Sequence, residues 1–308
     1  MDRRKFIQNT ALLGLGAGIA PGASLLTTKA KPSAIRMAFM SDFHAKPSAT
    51  SERGMRKALR HVNRLRLGPQ FIVNGGDAIM DGMAEDRTST AEQWEVWNSV
   101  LRDENKLPIY HVIGNHDAWG WQLKDPTVKS DPMYNKAWAM KEYGMSERYY
   151  SFGKKHWNFI VLDSAQENNG GYIAKIDDVQ FAWLEAQLNE TPPDQFICII
   201  SHIPIVSFCA AMYADENQAN GDWRISRALM HVDSRKLISL FEKYKNIKCC
   251  LSGHIHLVDA VEYKGIQYFC NGAVCGNWWN GPFKGFAPAY ALFEFDKDGT
   301  VTREMVYY

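Results

Sequence analysis

The sequence predicts an α/β fold whose strands are covered on both faces, and three observations carry that prediction. Short apolar runs recur along the chain, helical apolar patterns separate them, and each run ends in a cluster of polar residues. Strand and helix in alternation is the pattern of a layered α/β domain. The runs are IRMAFM, QFIVN, LPIYHVI, QFICII and NIKCCL. Each is too short for a helix and lacks polar alternation, so each reads as a strand covered on both faces.

The helices follow from period. Residues 51–66 place Met55, Leu59, Val62 and Leu65 or Leu67 near a helical repeat, and residues 91–104 put Trp94, Trp97, Val100 and Leu101 on one face. Residues 178–188 and 234–244 repeat the pattern, with Asp177 and Asp233 positioned as N-caps. The tail differs. VDAVEYKGIQYFC reads as a hairpin turning at Lys264-Gly265, and YALFEFDKDGTVTREMVYY as one turning at Asp298-Gly299. Residues 31–308 therefore read as one domain with a β-rich portion from about 258.

The first thirty residues read as an export signal. Arg3 and Arg4 precede Phe6 and Ile7, a mild Gly/Ala/Leu run follows, and small residues close the segment at Ala30. The paired arginines before Lys-Phe-Ile resemble a twin-arginine signal, which implies a periplasmic or extracellular protein. Cleavage near Ala30 and retention as an anchor are both open. No later segment is long and apolar enough to span a membrane, and the mature chain carries a formal charge of −2, which argues against nucleic acid as a partner. Cys198, Cys249 and Cys250 lie in apolar runs and read as core thiols. Cys270 and Cys275 bracket NGAV and can pair if exported, while the lack of any CxxC argues against a zinc knuckle.

In α/β folds ligands gather outside the carboxyl ends of the strands, where all five polar clusters lie. They supply Asp42 and His44, Asp77, Asn115-His116-Asp117, His202, and His254 with His256. These oxygen and nitrogen donors suit divalent manganese, iron or zinc, and no thiolate joins them. In an extended segment residues i and i+2 project to one side, so Asp42 with His44, and His254 with His256, can each aim two donors into one crevice.

The ordered series DFH, GGD, GNHD, SH and GHIH resembles the calcineurin-like metallophosphoesterases over about residues 35–257. The resemblance implies a four-layer sandwich of two mixed β-sheets flanked by helices, with a two-metal site at its edge. It implies that Asp42, His44 and His256 ligate one divalent ion and Asn115, His202 and His254 the other, with Asp77 bridging. His116 would give a proton to the leaving oxygen, and Asp117 would orient its imidazole. The activity implied is metal-dependent hydrolysis of a small-molecule phosphate ester, diesters slightly ahead of monoesters. A non-catalytic binding protein on the same scaffold is the reading from another class. Met80 stands where purple acid phosphatases carry a tyrosine, so no tyrosinate–iron colour is expected. The stretch CGNWWNGPFKGFAP is similar to the C-terminal region of some exported bacterial members. Trp278 and Trp279, with Trp119 and Trp121, either wall the substrate pocket or pack the core. Arg224 is either a phosphate contact or a surface residue.

Overall fold

The computed structural model describes residues 34–213 and 220–308. Residues 1–30, read above as an export signal, lie outside the described residues. The strands, in chain order, are β1 (Ile35–Met40), β2 (Phe71–Asn74), β3 (Ile109–His111), β4 (Tyr150–Lys154), β5 (Trp157–Leu162), β6 (Ala165–Glu167) and β7 (Tyr172–Ala174). They continue with β8 (Phe196–Ser201), β9 (Ile247–Ser252), β10 (Val258–Tyr263), β11 (Ile266–Asn271), β12 (Ala289–Phe295) and β13 (Val301–Tyr307). The α-helices are α1 (Ala49–Asn63), α2 (Arg87–Glu104), α3 (Ala137–Tyr143), α4 (Asp178–Glu190), α5 (Cys209–Met212) and α6 (Ser234–Phe241).

One sheet runs β13-β12-β1-β2-β3, with β1, β2 and β3 parallel and β12 and β13 antiparallel to their neighbours. The other runs β10-β11-β9-β8-β5-β4, parallel in its centre and antiparallel at both edges. Side-chain alternation along each strand sorts the core into layers. Ile35, Met37 and Phe39 of β1 meet Phe159, Val161, Ile200 and Leu251 of the second sheet. Ala38 and Met40 point the other way, onto Met55, Leu59 and Val62 of α1 and Trp94, Trp97 and Val100 of α2. On the far side Ile197 and Ile199 of β8 pack against Leu184 and Leu188 of α4 and Leu237, Leu240 and Phe241 of α6. The result is helix, sheet, sheet, helix: both strand faces are covered, which is why the runs show no polar alternation. Among the described residues no helix is long and apolar enough to cross a membrane.

Local chemistry sets the element ends. Ser48 Oγ accepts from Ser51 N at 3.2 Å and starts α1 two residues before the apolar pattern does. Asp86 caps α2 through Ser89 N at 2.8 Å, and Asp177 caps α4 through Gln180 N at 2.8 Å. Asp233 precedes α6 but makes no side-chain cap. Its carboxylate instead accepts from Ile176 N at 3.1 Å and pairs with His231 Nδ1 at 2.9 Å. The β10–β11 hairpin turns with both Lys264 and Gly265 at positive φ (56° and 77°), as a tight two-residue turn requires. The two tail hairpins part company: β10–β11 edges the second sheet, while β12 inserts between β13 and β1 in the first. Cys270 and Cys275 are free thiols, not a disulfide. Cys270 Sγ reaches Gly253 O at 3.5 Å and Leu257 O at 3.3 Å, and Cys275 lies against His256.

The Lys136–Asp163 ion pair is buried. Lys136 Nζ contacts the Asp163 carboxylate at 2.6 and 2.7 Å, and Arg148 completes the pair from the surface side. Burial pulls the Lys136 pKa down, and the charge of Asp163 opposes that pull. Breaking a buried pair by removing one partner typically costs about 3–5 kcal/mol. Asp163→Asn is expected to lose stability on that scale in urea unfolding; parent-like stability would show that the pair holds nothing.

Candidate metal centre

The polar clusters follow β1, β2 and β3 of one sheet and β8 and β9 of the other, so their loops meet across the seam between the two sheets. The backbone there is unusual. Asp42 (φ 59°), His44 (46°), Asp77 (54°), His254 (69°) and His256 (61°) are all left-handed. The paired donors thus converge through left-handed turns, not through the extended alternation expected from spacing. Such residues cost of order 1–3 kcal/mol each and persist only where the surroundings over-determine them. Asp42 N donates to Gly76 O at 3.0 Å, His44 N to Asp77 O at 3.0 Å, and Gly253 N to His202 O at 3.0 Å. Two glycines are demanded by contact: a Cβ on Gly114 would sit 2.1 Å from Asp77 Oδ1, and one on Gly253 1.9 Å from Ser41 Oγ.

The donors form two groups joined by one carboxylate. His44 Nε2 lies 3.1 Å from His256 Nε2, which lies 3.5 Å from Asp42 Oδ1. His202 Nε2 lies 3.2 Å from both Asn115 Oδ1 and His254 Nδ1. Asp77 Oδ2 stands between, 3.1 Å from His202 Nε2 and 3.8 Å from His44 Nε2. All seven side chains are buried.

The outward ring nitrogens show what this cluster is built to hold. His202 Nδ1 donates to Gly75 O at 2.8 Å, His256 Nδ1 to Gly276 O at 2.6 Å, and His254 Nε2 to Ala228 O at 3.0 Å. Each bond places a proton on the outer nitrogen and turns a lone pair inward, as backbone carbonyls do for metal-binding histidines. Inward lone pairs, two carboxylates and an amide oxygen crowd one dry space, and divalent cations satisfy such a set. Burial drags His202 down, but the charge and hydrogen bond of Asp77 outweigh it and push its pKa up to about 9. Burial carries His44 and His254 down to about 3. Cys275 Sγ lies 4.0 Å from the outer nitrogen of His256, and burial raises its pKa, which keeps it a thiol.

Asp117 takes a different part from the one expected. The His116 side chain is 25% exposed, and its ring centroid lies 5.0 Å from that of His44. Asp117 does not orient that ring. Its carboxylate accepts from Asp77 N (3.0 Å), Ala78 N (2.8 Å), Gly114 N (2.8 Å) and Tyr143 Oη (2.9 Å). It therefore ties the loop after β2 to the loop after β3, while burial and the charge of Asp77 push its pKa up to about 6. The carboxylate beside His116 is Asp81, whose Oδ1 lies 3.8 Å from His116 Nδ1, a nitrogen with no hydrogen bond. Asp81 ends GDAIMD, and its only sequence signal was a second acid four residues after Asp77.

The tryptophans divide. Trp119 and Trp121 are each 3% exposed and do not wall the crevice. Trp119 donates to Glu85 O at 3.1 Å and packs on Trp138; Trp121 donates to Asn135 Oδ1 at 3.1 Å and packs with Met83, Ala118 and Ile203. Their indole N–H groups are satisfied inside the core, so apolar burial decided their place. Trp278 does border the centre, 4.6 Å from His256 and 6.0 Å from His44 between ring centroids. Phe283, 6.0 Å from His256, and Tyr172, 5.9 Å from His254, join it, and neither was singled out in the sequence. Trp279 turns away and donates to His44 O at 3.1 Å. Arg224 is exposed.

A layered α/β sandwich with seven histidine, aspartate and asparagine donors at its strand ends defines a metal-dependent phosphoesterase. Residues 35–258 match the calcineurin-like phosphoesterase family model, and the chain belongs to that family. It is 23% identical over 253 residues to a 3',5'-cyclic-nucleotide phosphodiesterase of Nostoc sp., covering 80% of each chain. It is also 23% identical over 239 residues to the 3',5'-cyclic adenosine monophosphate phosphodiesterase CpdA of Escherichia coli, covering 76% of this chain and 73% of the relative. In fold it resembles a dimetal phosphatase from Danio rerio, with TM-score 0.60, 17% identity, and coverage of 90% of this chain and 99% of that one.

The placement of His116 beside Asp81 predicts a leaving-group signature. Positioned acids contribute about 10²–10⁴-fold to rate. His116→Ala, and to a lesser degree Asp81→Asn, should lower turnover of alkyl esters far more than of nitrophenyl esters, whose leaving groups need no proton. Equal losses on both, measured by steady-state kinetics, would remove His116 from the proton path.

Proposed function

We propose that the protein hydrolyses small phosphodiesters at a pair of divalent ions, and that it does so outside the cytoplasm. The observation that carries the reading is the cluster of inward lone pairs around Asp77, bordered on its open side by rings. Asp42, His44 and His256 would hold one ion, Asn115, His202 and His254 the other, and Asp77 both. When bound, such ions supply Lewis-acid charge for phosphoryl oxygens and lower the pKa of a coordinated water. Manganese, iron and zinc all suit this donor set.

The protein's own groups do the rest. His116 reaches the crevice from its exposed edge and carries a proton to the leaving oxygen. Asp81 steadies that imidazole, since catalytic hydrogen bonds that are long in the free enzyme tighten around substrate. The half-buried face of Trp278, with Phe283 and Tyr172, packs against the flat or apolar part of the ester. These three rings carry no charge, which suits a diester's single negative charge better than the two charges of a monoester. The two curated relatives are named for cyclic-nucleotide diesters, which supports the same substrate class. The basic and apolar pattern of residues 1–30 supports export by the twin-arginine route.

Two measurements test this. Protein stripped of metal and reloaded with manganese should turn over bis(p-nitrophenyl) phosphate faster than p-nitrophenyl phosphate, with Asp77→Asn at background. A monoester preference would make it a phosphatase, and no hydrolysis with metal bound would favour a binding protein. Replacing Arg3 and Arg4 by lysine should strand the protein in the cytoplasm on cell fractionation; unchanged export would refute the twin-arginine route.

A further inference from the structure

A six-residue segment beyond the matched family region, Val274–Trp279, runs along the first group of donors. Val274 N donates to Ser41 O at 2.9 Å and Cys275 N to Asp42 O at 3.1 Å. Trp279 Nε1 donates to His44 O at 3.1 Å, and Gly276 O receives His256 Nδ1 at 2.6 Å. The segment thus bonds to Asp42, His44 and His256 in turn. The outer nitrogens of the second group bond elsewhere: His202 Nδ1 to Gly75 O and His254 Nε2 to Ala228 O.

Two locally unfavourable choices meet at Trp279. Trp278 (φ 47°) and Trp279 (φ 71°) are consecutive left-handed residues with bulky side chains, a conformation glycine would take more cheaply. Gly54 lies inside α1, where glycine costs about 1 kcal/mol relative to alanine. The Trp279 ring explains the glycine, because a Cβ there would stand 2.1 Å from Cζ3 and 2.4 Å from Cε3. The notch in α1 seats the ring, and the seated ring aims its N–H at the carbonyl of His44, itself left-handed and buried. That bond fixes the His44 peptide plane and with it the direction of the imidazole. Without it a buried carbonyl loses its partner.

We propose that Trp279, held by Gly54, is a positioning residue for the ion bound by Asp42, His44 and His256, and that it sets affinity on that side of the centre alone. The proposal rests on the reading that these three residues hold a metal. Loss of a partner that orients a ligand typically costs about 10–100-fold in metal affinity.

The test is calorimetric titration of the metal-free protein with Mn²⁺ in two backgrounds. His202→Ala leaves the first side as the only intact half, and His44→Ala leaves the second. Trp279→Phe keeps the ring and removes the N–H. It should weaken Mn²⁺ binding about 10–100-fold in the His202→Ala background and leave it within about twofold in the His44→Ala background. Gly54→Ala should reproduce the pattern by unseating the ring, although alanine favours the helix, so it serves if Trp279→Phe folds poorly. Equal loss in both backgrounds, or loss in neither, overturns the positioning role. A parent protein that binds no Mn²⁺ defeats the metal reading itself, and does so before any variant is made.

Discussion

Asp117 is the side chain on which the centre depends. A carboxylate in a dry interior must find donors, and this one takes the backbone N–H groups of Asp77, Ala78 and Gly114 and the hydroxyl of Tyr143. In doing so it holds Asp77 in a left-handed conformation and binds two strand-end loops into one block. The shared carboxylate of Asp77 then has one place to point, and its second oxygen accepts from His116 N at 2.8 Å. Left-handed residues are stable here because each is pinned from several sides. The close approaches at Gly114 and Gly253 are the steric counterpart of that pinning.

The sandwich supplies what no single sheet could. Parallel strands in each sheet send their carboxyl ends the same way, and the packed interface of Ile35, Met37, Phe39, Phe159, Ile200 and Leu251 brings the ends of the two sheets together. Asp42, Asp77 and Asn115 come from one sheet; His202, His254 and His256 come from the other. Ions held by these residues would therefore be gripped from both sheets, which ties the site's geometry to the rigidity of the core beneath it. The outer helices keep both sheets dry and so let the strand ends be buried.

The crevice has an aromatic border and a histidine at its mouth. Trp278 and Phe283 come from one loop and Tyr172 from a segment about a hundred residues earlier, and ring faces of this kind pack on flat or apolar groups without fixed charge.

The sequence by itself determined the α/β class, the strand runs and which seven side chains gather at the strand ends. These were legible because they are local: an apolar run of a given length, followed by a glycine and a donor, reads the same wherever it packs. What lay beyond it depends on which distant segment arrives. Trp119 and Trp121 looked like the tryptophans at 278 and 279, but only the packing of Trp138, Met83 and Ile203 shows that the first two are core. Asp117 beside His116 in sequence faces away from it in space, and Asp81 takes its place, because the turn after Asn115 rotates the carboxylate toward the loop of Asp77. The two tail hairpins read alike and joined different sheets. The left-handed backbone at Asp42, His44, Asp77, His254 and His256 has no signature in residue type, since such strain is stored only when tertiary contacts outweigh its local cost.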